Sequence, residues 1–170
     1  GIYEDAEKYL LKAFELDKSC SAALHLASFY CRTKKNYDKA IIICDEGLTR
    51  QCDLVCENMI LDTKILALEQ IGDQPKLKEC LGQKENCLRQ LIDKPGGKQD
   101  SWLHIELFKF LCDNNRRLEA VEFFKKVQKE KPQFRFSLGR ALGENYESRE
   151  EYREAISLYQ SLYEEIKLEG

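Results

Sequence analysis

LGRALGENYESREEYREAISLYQSLY, residues 138–163, is the stretch that decides how the rest of the chain is read. Leu142, Gly143 and Tyr146 lie three and four residues apart and share one helical face. A short charged break follows. Tyr152, Ala155, Tyr159 and Leu162 repeat the spacing on the facing side of a second helix. Gly143 and Ala155 are small enough for two helix backbones to approach closely, so the stretch predicts a helix-turn-helix pair.

The same frame recurs. Tyr3, Ala6 and Ala13 return 34 residues later as Tyr37, Ala40 and Gly47, an aromatic followed by two small residues two turns apart. Ala120, Phe124 and Val127, followed by Pro132, return 35 residues on as Ala155, Tyr159 and Leu162. Registered copies at such a period are the mark of a helical repeat protein, in which each unit buries its apolar faces against its neighbours.

These residues resemble the tetratricopeptide repeat family, whose 34-residue units are paired antiparallel helices. That family carries a large residue, a Leu-Gly pair and a Tyr on the first helix, then an aromatic, an Ala, an aromatic and an Ala on the second. Leu142, Gly143, Tyr146, Tyr152, Ala155 and Tyr159 follow the pattern, while Gly139 stands where a large residue is usual. Leu24, Ala27, Ser28, Cys31, Tyr37, Ala40, Cys44 and Gly47 follow it more loosely.

The middle third departs from the period. Ala40 and Ala120 are 80 residues apart, where two 34-residue steps make 68. Met59, Ile60, Leu61, Ile65, Leu66, Leu68 and Ile71 have helical spacing that stops at Gly72-Asp73, a C-terminal glycine stop. Pro75 suits the first turn of a following helix carrying Leu77, Cys80, Leu81, Cys87, Leu88, Leu91 and Ile92. The reading is one divergent unit with a lengthened second helix, followed by a flexible loop over Lys94–Asp100.

The expected fold is therefore an all-α, right-handed superhelix of about nine helices in a single array over residues 1–170. Residues 1–18 form the second helix of a truncated repeat, and repeats follow over 20–52, 54–94, 100–132 and 133–168. Asp100 or Ser101 caps the helix that ends at Asn114-Asn115. Because Gly1 falls where a turn belongs and the last helix lacks a polar outer face, the chain reads as a segment of a longer array.

Composition narrows the function classes. Charged residues make up 34% and apolar residues 43% of the 170, a globular balance. Net charge is −3, and the two signs are interleaved, which counts against a nucleic-acid backbone or an anionic membrane as the main partner. No apolar run approaches the roughly 18 residues that a membrane helix needs. Eight cysteines sit inside helical patterns without a CxxC pair, so they read as reduced packing thiols of an intracellular protein, cytoplasmic or nuclear, with no metal site expected.

The residues offer no catalytic set and no cofactor site. His25 and His104 belong to different units and neither neighbours a cysteine or carboxylate at a catalytic spacing. Gly96-Gly97 lacks the Lys-Ser/Thr of a phosphate loop. Glu150-Glu151 and Glu164-Glu165 read as solvated acids paired along the helix with Arg149, Arg153 or Lys167.

A repeat of this kind makes binding surface. The resemblance implies a concave groove lined by first helices, placing His25, Phe29, Arg32, Trp102, Ile105, Lys109, Arg140 and Glu144 as partner-binding residues. An aromatic flanked by cations is the usual composition of an interface hot spot, although Phe29 and Trp102 equally suit core positions at a joint. Some members of the family clamp acidic chaperone tails with Lys, Asn and Arg. Most of that clamp is absent here, which counts against such a partner. The expected function is a non-catalytic scaffold that binds a protein or peptide within a larger assembly. The alternative is a single-stranded RNA binder using Arg116, Arg117, Lys125, Lys126, Lys129 and Lys131, among which Glu119, Glu122 and Glu130 are interspersed.

Overall fold

A computed structural model describes residues 1–94 and 101–169, with side chains described as far as Glu164. Nine α-helices and no strand occur among the described residues, so the all-α class is observed. They fall into two compact units, residues 1–93 and 94–170.

The first unit holds α1 (Ile2–Leu16), α2 (Cys20–Ser28), a π-helical continuation of α2 over Phe29–Lys34, α3 (Tyr37–Thr49), α4 (Leu54–Ile71) and α5 (Gln74–Asp93). Each helix packs on the next, and α2 also packs on α4. Local chemistry sets the ends. Asn36 caps α3 by accepting from the Lys39 amide, and Asp53 caps α4 by accepting from the Cys56 amide at 2.8 Å. Gly72 ends α4 at φ 76°, the left-handed conformation that favours glycine, as the sequence predicts. Asp73 then accepts from the Lys76 amide at the start of α5. At 20 residues, α5 is longer than the 13-residue α3.

The small residues of α2 and α3 do what their spacing implies, whereas in the first copy Tyr3 and Ala13 of α1 are exposed and Ala6 is half-buried. Ala23, Ala27 and Ala40 are fully buried, and a Cβ on Gly47 would meet the Ala23 Cβ at 2.6 Å. Leu26, Ile60, Leu61, Leu68, Cys44, Cys80 and Leu88 fill the core between these helices. α1 has no fully buried residue; Leu10 and Phe14 pack against the core, and polar contacts reach its middle and its end. The Arg50 guanidinium lies 3.7 Å from the Phe14 ring centre and donates to the carbonyls of Phe14 and Asp17. Those carbonyls lack intrahelical donors, so a cation there satisfies both hydrogen bonding and the helix dipole.

The second unit holds α6 (Ser101–Asp113), α7 (Arg117–Glu130), a 3-10 turn over Pro132–Phe134, α8 (Arg135–Ser148) and α9 (Tyr152–Glu169). α6 packs on α7 and α8, and α8 on α9. Ala120 and Ala155 are buried, facing cores that include Leu107, Phe108, Leu111, Phe124, Leu138 and Leu142. Gly139 stands in the place of a large residue because the neighbouring helix fills it: a Cβ there would lie 2.6 Å from Leu162 Cδ1. At Gly143 an added Cβ would overlap the Tyr159 ring.

Glu151 pairs across helices with Arg117, and Arg149 joins it at 3.3 Å, so it is a half-buried tie between α7 and α9 rather than a solvated acid. The loop expected over Lys94–Asp100, the Asp100 cap and Gly96-Gly97 lie outside the described residues from position 95 on. So do the side chains of Glu165 and Lys167.

Candidate functional site

In the second unit, α6 and α8 lie side by side and present five of the expected partner-binding residues. Trp102 is 43% exposed and Ile105 half-buried, while Lys109, Arg140 and Glu144 are exposed. Lys109 Nζ lies 3.9 Å from Glu144 Oε2, and Arg140 Nε lies 3.6 Å from Glu144 Oε1. Both cations thus converge on one carboxylate. Beside them runs a crevice lined by Phe108, Lys109, Cys112, Asp113, Ala141, Glu144 and Asn145.

Asn145 is a residue that sequence reasoning missed. Its Oδ1 is buried and has no hydrogen-bond partner among the described residues. A buried acceptor without a donor is costly, and native proteins normally pair such groups. Nothing in the periodicity marks it, because Asn145 is simply the residue beside Glu144 on α8.

His25, Phe29 and Arg32 lie in the first unit. His25 and Arg32 are exposed and Phe29 is half-buried. Phe29 opens the π-helical segment, its ring edge-on to Tyr30 at 5.9 Å, with the Lys34 ammonium 5.8 Å from the ring centre. A π turn bonds i to i+5 in place of i+4, so the 3.6-residue register that aligned these three residues changes past Phe29. Tyr30, which is buried, donates to Glu7 Oε1 at 2.7 Å, and Lys34 pairs with Glu7 at 3.0 Å, fixing the segment to α1. Burial and the Glu7 carboxylate push the Tyr30 hydroxyl up to about 12. The hydrogen bonds from Tyr30 and Lys34 hold Glu7 below the usual carboxylate range.

His104, the other histidine, is 2% exposed. It stacks on Phe123 at 6.1 Å and lies 5.0 Å from the Phe134 ring, with Nε2 3.3 Å from Lys131 Nζ. A ring enclosed in this way packs a core. Among the basic residues of the second unit, Arg117 is bound to Glu151 and Arg116 to Glu119 at 2.7 Å.

All eight cysteines are free thiols. Burial pushes Cys44 up to about 12 and Cys80 to about 11, as suits thiols used for packing. Three others converge. The sulfurs of Cys20, Cys52 and Cys56 lie within 4.8 Å of one another. Cys20 is 32 residues from Cys52, and only tertiary structure brings it there.

No helix among the described residues is long and apolar enough to cross a membrane. A comparison with curated proteins finds no match. Residues 137–169, which form α8 and α9, match the family model described as tetratricopeptide repeat. The pair of helices built on Gly143 and Ala155 is therefore similar to a unit of that family, and it is on this stretch that the chain's resemblance to tetratricopeptide repeat proteins rests.

Proposed function

We propose that the chain is a non-catalytic protein-interaction module, its repeats at 20–52, 54–94, 100–132 and 133–168 belonging to one array, and that it binds an extended peptide segment of a partner protein. The observation that carries the reading is the face of α6 and α8, where a crevice whose wall includes Asn145 runs beside Lys109 and Glu144. An asparagine side chain in such a wall can pair with a peptide backbone. Trp102 offers a large apolar contact on the same helix, of the residue type that dominates interface energies. Because Glu144 offsets the charges of Lys109 and Arg140, the face suits a mixed or apolar peptide better than a purely acidic tail. In the first unit, exposed His25 and Arg32 and half-buried Phe29, with Lys34 beside its ring, offer further contacts. Arg116 and Arg117, already paired with carboxylates, favour this reading over RNA.

Panning a displayed random-peptide library against the chain tests the proposal. Selected peptides are expected to bind the Asn145→Ala chain roughly two- to tenfold more weakly, the worth of one hydrogen bond, and the Trp102→Ala chain more weakly still. Selected peptides that bind both variants unchanged would remove the assignment. A single-stranded RNA shift at low salt that fades steeply with added salt would favour the nucleic-acid reading.

A further inference from the structure

The geometry points to a metal site in the first unit: Cys20, Cys52 and Cys56 form a three-thiolate site for a thiophilic d10 cation, zinc(II) or copper(I). The sulfurs come from three places. Cys20 opens α2, Cys52 lies in the turn before α4, and Cys56 lies in the first turn of α4. Local structure holds each of them. A backbone bridge pairs Ser19 with Gln51, the residues just before Cys20 and Cys52, and so sets those two cysteines side by side. The Asp53 side chain accepts from the Cys56 amide and fixes the third.

The distances suit a metal. Zinc–sulfur bonds of about 2.3 Å in a tetrahedron place the sulfurs about 3.8 Å apart. Three sulfurs already within 4.8 Å reach that spacing by small side-chain rotations. A disulfide joins only two sulfurs and leaves the third unexplained. Thiolates are soft donors, which select zinc and copper(I) over magnesium or calcium. Burial pushes the Cys52 and Cys56 thiols up, and the helix N-termini at Cys20 and Cys56 offset part of that cost once a metal has displaced the protons. Access is available, because Cys52 and Cys56 are half-buried while Cys20 is 4% exposed. Zinc would bind with its fourth position open to water, whereas copper(I) would be satisfied by the three sulfurs. Binding forms three metal–sulfur bonds and releases the thiol protons to solvent, with no change of oxidation state.

The test is an anaerobic titration of the reduced, metal-free 170-residue chain. One arm uses Co2+ as a coloured substitute, followed by displacement with Zn2+. A second uses Cu+ held by a chromophoric competitor. The expected result is one equivalent bound in at least one arm. In the cobalt arm this appears as intense sulfur-to-metal absorption that Zn2+ abolishes, and the bound ion raises Tm. Cys52→Ser and Cys56→Ser should each weaken binding by at least about 100-fold, beyond the effect of losing an outer-shell partner. Cys112→Ser, in the other unit, should leave it unchanged. Circular dichroism of the variants separates loss of the site from loss of the fold, and the spectrum of the unmutated chain stands independently of both. The proposal is overturned if neither arm shows stoichiometric uptake, if the Cys52 and Cys56 variants bind like the unmutated chain, or if the reduced chain takes no metal and instead closes a disulfide between two of the three cysteines in air.

Discussion

Exchanging Gly139 and Leu162 probes the packing on which the α8–α9 pair depends. Leu162 is 7% exposed and occupies the volume beside Gly139, where an added Cβ would lie 2.6 Å from its Cδ1 and 3.3 Å from its Cδ2. Leu162→Ala alone empties that volume and should cost about 2–5 kcal/mol through lost transfer energy and a residual cavity. Gly139→Leu alone gains about 0.8 kcal/mol or slightly more in helix propensity, but forces two side chains into one space at about 1–3 kcal/mol. In the double variant the new leucine fills what the old one vacated. The propensity gain is present both in the single variant and in the double, so it cancels from the cycle and leaves the steric coupling, expected at about 1–2 kcal/mol in favour of the double. The only tryptophan, Trp102, lies in the same unit and reports its unfolding in urea through its emission. With a urea slope of about 1–2 kcal/mol/M, that coupling amounts to roughly 0.5–2 M in midpoint. A coupling below about 0.5 kcal/mol, within the range of independent sites, would refute the claim that the two residues share one volume.

Alkali should weaken the first unit. Cys44, Cys80 and Tyr30 ionise near 9.0, 9.0 and 10.0 when unfolded but hold their protons to about 12, 11 and 12 when folded. The folded chain therefore keeps protons that the unfolded chain has lost. Stability is fully present below pH 9 and falls from there toward 12; a thermal midpoint that stays level from pH 8 to 11 would contradict the burial of these groups, and Cys44→Ala should blunt the fall. Glu150 follows α8 at φ 60° and is exposed, so Glu150→Gly should relieve left-handed strain and stabilise by about 0.5–1 kcal/mol. Asn115→Gly, at φ 59°, should gain less in the same urea assay, because asparagine tolerates that conformation. In the native metal-free chain, a thiol reagent should label Cys52, Cys56 and Cys112 well before Cys31 and Cys44, which are 2% and 0% exposed; rapid labelling of the latter pair would displace them from the packing positions described.

The sequence by itself determined the helices, their ends and the places where they touch. Those features are local: Gly72 stops α4 because its φ is accessible to glycine, and Ala40, Ala120 and Ala155 recur because close helices exclude anything larger. Tertiary structure alone decided which distant polar groups meet. The Arg117–Glu151 tie, the Arg50 cap on α1 and the three-sulfur cluster join residues more than 30 positions apart, and no helical period carries that information. The π turn after Phe29 belongs with them. It occurs where Tyr30 reaches Glu7 on a neighbouring helix, and it shifts the register from which part of the binding face was first drawn.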